Sequence, residues 1–363
     1  MKLSRVAVLV FGLLAAFVTA RAASSDHSVR VYTCNEGSGT LSVIDPTQNR
    51  VIASTRVGSN PVRLAATADG SKIYVPNSGS DDVSVVRASD QRVIATIPVG
   101  DRPTELSFTP DGTQLFVSNE SNATVSVIST VTDKVIATVP TDTSPTQIGI
   151  TPDGRLAYVG TRSGTIITVI DTRTHKVVKK IRTAPSPRRL LVTRDGTRVY
   201  VGNTSSGTVS IIDTSTQRVL ATVKTGELSR GFYETPDSKE VWVTNVRSGT
   251  VSIINRQTNR VETIATGQGP WSVLITPDGK FAYVANAESH NLSIVDTATR
   301  KIVKTLNTAA NCFWLEILPD ASTIYLTSPP DGVLLAIDTK SQTVTARIST
   351  GLFPWEVIEA PAP

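Results

Sequence analysis

Residues 198–213 read Arg198-Val199-Tyr200-Val201-Gly202-Asn203-Thr204-Ser205-Ser206-Gly207-Thr208-Val209-Ser210-Ile211-Ile212-Asp213, and this stretch decides the fold. Two short runs rich in β-branched and aromatic residues flank a Ser-Ser-Gly turn with no helical period, which predicts an antiparallel hairpin. Outward from it, the aromatic position recurs as Tyr32, Tyr74, Phe116, Tyr158, Tyr200, Trp242, Tyr283 and Tyr325, at intervals of 42 residues except one of 41. Each copy continues through a Thr-rich turn, a β-branched run, a Pro-led apolar run and Thr-Pro-Asp-Gly or a variant of it. A unit of that length holds four short antiparallel strands. Eight units predict an all-β chain: an eight-bladed β-propeller of four-stranded antiparallel blades.

We name the Pro-led strand A, the aromatic strand B, the Val-Ser-Ile-Ile strand C and the last strand D. On this phase the chain enters on a B strand at 30–35 and ends on an A strand at 355–359. The C-terminal strand then completes the first blade and closes the ring, covering edges otherwise left open. The expected boundaries are a signal peptide at 1–22, an N-terminal extension at 23–30 and a single propeller domain over 31–360. In Thr109-Pro110-Asp111-Gly112, proline presets φ, aspartate caps the turn and glycine supplies the left-handed closing residue. Pro236-Asp237-Ser238 and Pro319-Asp320-Ala321 lack that glycine, so looser hairpins are expected there.

Lys2 and Arg5 precede an apolar run from Val6 to Ala20, too short for a bilayer span and followed by small residues suited to cleavage. Export to the periplasm or the medium is expected, with no membrane span after cleavage. Loss of Lys2, Arg5 and Arg21 lowers the formal net charge from +5 to +2, so a nucleic-acid partner is not expected. At 39% hydrophobic and 18% charged residues the chain is no disordered polymer. Two cysteines and three histidines are too few for a zinc-finger array or an iron–sulfur protein. Haem-attachment, phosphate-loop, nucleophile-elbow and calcium-loop motifs are missing, so the sequence demands no cofactor and offers no catalytic set. A monomer is expected.

Tyr74-Val75-Pro76-Asn77, Tyr200-Val201-Gly202-Asn203 and Trp242-Val243-Thr244-Asn245 resemble the signature of the YVTN family of β-propellers, over residues 31 to about 360. With an export signal added, the chain is most similar to the exported propellers associated with PQQ-dependent catabolism. The resemblance implies a propeller fold and a role beside a periplasmic quinoprotein dehydrogenase. Those relatives are generally described with seven repeats, so a seven-bladed ring is the alternative.

Comparing the eight copies separates scaffold from site. The recurrent Asn35, Asn77, Asn119, Asn203, Asn245 and Asn286 read as turn caps, and Asp45, Asp171, Asp213, Asp296 and Asp338 as turn formers on the other face. Residues that do not repeat gather at the start of the A strands: Arg63, Arg188, Arg189, Arg230, Trp271, Trp314 and Trp355. Guanidinium groups beside aromatic faces suit a small planar or anionic ligand on the face of the D–A and B–C loops, and that face equally suits a protein partner. The competing reading has the tryptophans plug the channel and the arginines pair with Glu105 and Glu356. His290 is placed at the rim of this site, His175 on the opposite face and His27 near the mature N-terminus. Cys34 and Cys312 fall on one face in neighbouring blades across the ring closure, and export permits a disulfide between them. Three functions fit: a ligand-binding or accessory protein without catalysis; a lactonase-like, lyase-like or haem-binding propeller; or a surface platform for protein interaction.

Overall fold

Each repeat folds into an antiparallel meander running from the channel to the rim, and the computed structural model, which describes residues 29–308 and 310–363, contains eight of these four-stranded sheets. The ring is therefore eight-bladed. Among the described residues the sole helical element is the single turn Pro329–Asp331. The expected signal peptide, most of the extension and His27 lie outside the described residues.

Closure follows the strand phase. Blade 1 runs Arg50–Arg56, Thr40–Asp45, Val29–Asn35 and Pro354–Pro361 from rim to channel, with Tyr32 opposite Ile358 and Thr33 opposite Val357. The last strand of the chain is thus the inner strand of the first blade. Its hydrogen bonds satisfy an edge that would otherwise be exposed to water or to another chain.

Apolar residues meet chiefly between blades. The eight repeating aromatic side chains have no exposed surface, and two of the tyrosine hydroxyls bond the next blade's C–D turn. Tyr74 Oη donates to Asp133 Oδ1 at 2.5 Å, and Tyr325 Oη donates to Asn49 Oδ1 across the closure at 2.9 Å. Where the aromatic residue is Phe116, His175 takes the turn position, packing on the ring at 6.4 Å while its Nε2 meets Gln114 Oε1 at 2.8 Å. His175 is thereby explained as a blade contact. On the other face the Asn35 amide meets Thr40 Oγ1 and Ser42 Oγ, each at 2.9 Å, and the same bridge recurs at Asn77, Asn119, Asn245 and Asn286. Gly58 explains the glycine after the D strand, because a Cβ there would lie 2.6 Å from the Asn77 side chain.

Two expectations are corrected. Ser238 and Ala321 adopt φ of 56° and 58°, and their amides close the hairpins at 2.8 Å, as at Gly112. These turns are no looser; the flanking strands hold residues other than glycine in the left-handed region, at roughly 1–2 kcal/mol each. The disulfide is also absent: Cys34 and Cys312 are free, buried thiols. Cys34 packs towards blade 2, against Leu64, Ile73 and Val75, whereas Cys312 packs towards blade 7, against Ala285 and Leu292. Their side chains pack towards opposite neighbours, so blades 8 and 1 stand between them. Burial pushes the Cys34 thiol up to about 12 and the Cys312 thiol up to about 11, leaving both unreactive.

Deleting residues 354–363 should abolish the monomeric fold, giving unfolded or oligomeric protein by size-exclusion chromatography and circular dichroism; a folded monomer would show that closure is dispensable. Purified without reductant and unfolded in guanidinium chloride, the protein should titrate two thiols with Ellman's reagent.

Candidate functional site

The D–A and B–C loops share one face, where they are tied by backbone bonds such as Glu120 N to Arg102 O and Thr204 N to Ser186 O. The inner strands start there, and each start departs from regular pairing. In blade 5, Pro187 pairs with Asn203 but Arg189 pairs with Gly202, and in blade 7 the same slip separates Pro270 from Ser272. Such a bulge frees two consecutive residues from strict alternation, so both can serve the channel. Side chains of the preceding blade hold the irregular backbone: Thr146 Oγ1 of the blade 4 inner strand donates to Arg188 O at 2.8 Å, and Thr244 Oγ1 of the blade 6 B strand to Trp271 O at 3.1 Å. Gly231 lets blade 6 approach blade 7 here, since a Cβ would lie 2.9 Å from Trp271 O.

The third position of the inner strands forms a layer across the channel. Arg63 from blade 2 donates to Glu105 of blade 3 at 2.9 Å and to Glu356 of blade 1 at 3.0 Å. Arg189 from blade 5 also grips Glu105. Arg63 lies over the Trp314 ring of blade 8 at 4.0 Å and is only 4% exposed. Side chains from five blades therefore meet in one plug. Burial alone would lower the Arg63 guanidinium, but Glu105 and Glu356 outweigh it and raise its pKa. Burial would raise Glu105, but its two guanidinium partners hold it below the usual carboxylate range.

The second position builds a different layer at the mouth. Trp271, Phe313 and Trp355 form an aromatic wall, with Trp271 edge-on to Phe313 at 4.7 Å and Phe313 stacked on Trp355 at 5.4 Å. Arg230 lies flat on Trp271 at 3.4 Å. Among the described residues no acid bonds Arg230 or Arg188, and the Nε of each is buried without a hydrogen-bond partner, as is Trp271 Nε1. Burial and then the like charges of Arg189 and Arg188 push Arg230 far down. Arg188 falls to about 10 through burial and then repulsion by Arg189 and Arg162. The mouth is thus a set of donors without acceptors.

The structure brings Arg63, Arg188, Arg189, Arg230, Trp271, Trp314 and Trp355 together and splits them by role: Arg63, Arg189 and Trp314 fill the plug, while Arg188, Arg230, Trp271 and Trp355 line the mouth. His290 is not among them. It is exposed, adopts φ of 53° where most copies carry glycine, and borders a surface depression with Thr305 and Asn307 of the outer strand. Two features escaped the sequence reading. Leu352 and Phe353 are 65% and 49% exposed on the D–A loop leading to Trp355, and Phe353 takes φ of 56° where other copies place Asn60, Arg102, Ser144, Ser186, Leu228 or Gly269. Glu316 lies deeper in the channel, at a position of the inner strand where the other seven copies carry no acid. Comparing the copies at those columns, beyond the strand starts, would have exposed both.

Fold and site together define an eight-bladed β-propeller whose channel mouth carries uncompensated positive charge beside aromatic rings. The chain matches the YNCE-like beta-propeller family over residues 15–198 and again over 192–361, and belongs to it. Among solved structures it is similar to hydrazine synthase of Kuenenia stuttgartiensis, at 23% identity over 78% of this chain and 98% of that one, with a TM-score of 0.64. It is also similar to the dihydro-heme d1 dehydrogenase NirN in complex with DHE, at 14% identity over 90% and 74% of the two chains, TM-score 0.80. Apo AztD from Citrobacter koseri gives 14% identity over 93% and 99%, TM-score 0.70. At these identities the likeness is one of fold. No curated protein matches. Among the described residues no helix is long and apolar enough to cross a membrane.

Burial, then repulsion by Glu359 and Glu356, raises the Glu316 carboxyl to about 8. An acid whose pKa is higher folded than unfolded binds its proton more tightly when folded, so stability present below about pH 4.5 is lost as pH rises towards 8. Glu316→Gln should flatten that loss; the check is denaturant unfolding of both proteins at pH 5 and pH 9, and parallel curves would refute it.

Proposed function

We propose that this protein is an exported, non-catalytic binding propeller that receives a small planar or anionic ligand at the mouth of its channel. The carrying observation is the pair Arg188 and Arg230, which lack acidic partners beside Trp271, Phe313 and Trp355 while the deeper Arg63 and Arg189 are engaged by Glu105 and Glu356. Burying unpaired guanidinium groups next to one another opposes folding, and an arriving anion relieves that opposition. Stacking on the rings adds a preference for flat molecules. The resemblance to exported propellers of PQQ-dependent catabolism supports an accessory role beside a periplasmic oxidation system, with the apolar Leu352–Phe353 loop as a contact for a protein partner.

A second reading, a haem-type ligand, draws on the likeness to NirN, whose structure contains DHE, and on an aromatic wall beside guanidinium groups, which suits a flat macrocycle bearing carboxylates. The absorption spectrum of protein isolated from its own periplasm separates the two, since a bound macrocycle absorbs in the visible.

Replacing Arg188 or Arg230 with alanine should weaken anion binding by about 1.5–3 kcal/mol per charged hydrogen bond lost, while the melting temperature holds or rises. Asp213→Ala, which removes the carboxylate that accepts from Thr216 N at 2.7 Å, should lower stability and leave binding intact. Calorimetric titration and thermal melts test both. Arginine variants that melt early yet keep full affinity would show that the mouth is structural.

A further inference from the structure

We infer, resting on the reading of the mouth as a ligand site, that its ligand is a flat aromatic dianion. On the inner strands at the mouth and plug, four guanidinium groups, Arg63, Arg188, Arg189 and Arg230, face two carboxylates, Glu105 and Glu356. Glu120, which also attracts Arg188, is already bound by Arg162. Two positive charges are left without a partner. They sit at the same position of adjacent inner strands, close enough for Arg188 to depress Arg230. A monoanion would satisfy one and leave the other buried among like charges; a dianion neutralises both.

The shape of the ligand follows from Arg230. Its guanidinium face is occupied by Trp271, but its donors lie in the guanidinium plane, and its Nε, like Trp271 Nε1, is buried without an acceptor. Donors without acceptors select a molecule that only accepts at its charged ends. The Trp271, Phe313 and Trp355 rings require the body between those ends to be flat and apolar. Two carboxylates on one ring system meet these demands, and so does an aryl phosphate, which carries both charges on one group.

Titrate the mature protein at low ionic strength with naphthalene-2,6-dicarboxylate, 2-naphthyl phosphate, 2-naphthoate and succinate, following heat or tryptophan fluorescence. At least one aromatic dianion should bind about 10-fold or more tightly than both 2-naphthoate and succinate, the factor one added charged hydrogen bond supplies. The tighter of the two dianions tells whether the ligand's charges are separate or on one group. Arg188→Gln should erase most of the dianion's advantage, change 2-naphthoate binding less than 3-fold, and not lower the melting temperature, because it removes like-charge repulsion. Equal affinity for 2-naphthoate and the dianions overturns the dianion while leaving an aromatic anion site in place. Equal affinity for succinate and the dicarboxylate overturns the flat ligand. If no aromatic anion binds, the ligand site itself is refuted.

Discussion

Everything in this molecule depends on one strand pairing, between Pro354–Pro361 and Val29–Asn35. A ring of blades has no natural end, and its first and last units each present an edge unless the chain supplies a strand from one terminus to the other. Here the C-terminal strand does so from the inside, so the closure also furnishes the channel with Trp355, Glu356 and Glu359. Fold closure and channel chemistry are therefore carried by the same eight residues. A change that loosens this strand alters the plug as well as the ring.

The blades are held to one another by contacts that repeat because the sequence does. An aromatic residue of one blade reaches the C–D turn of the next, as Tyr325 reaches Asn49 and Trp242 lies under Arg300 at 5.4 Å. The Tyr74 and Tyr325 hydroxyls thus find partners without leaving the apolar interface, whereas those of Tyr32, Tyr158, Tyr200 and Tyr283 are buried without one. The same logic accounts for the buried asparagines and the glycines facing them. Function has little room in such a lattice, since altering a repeating residue disturbs two blades.

The channel escapes that constraint because symmetry is broken there. Eight inner strands converge, and identical side chains would stack eight like charges or eight bulky rings in one place. Arg63, Glu105, Arg189 and Glu356 solve the problem in the plug by alternating sign, with Trp314 closing the gap. At the mouth no such compensation exists among the described residues for Arg188 and Arg230. Departures from consistent local design concentrate at this one end of the molecule.

The sequence by itself determined the blade count, the strand phase and the ring of chemically distinct residues, because each is a matter of period and alternation: the spacing from Tyr32 to Tyr325, the proline that opens each inner strand, and the tryptophans and arginines that fail to repeat. It could not sort Arg63 from Arg230 or place His290. Pairing across a channel depends on which blades face each other and on bulges that release two adjacent residues inward, and neither leaves a local signal. The cysteines make the same point. Cys34 and Cys312 share a face of the disc, but Cys34 lies in the strand Val29–Asn35 and Cys312 in the irregular segment before Leu315, and only the tertiary structure could turn them towards opposite neighbours.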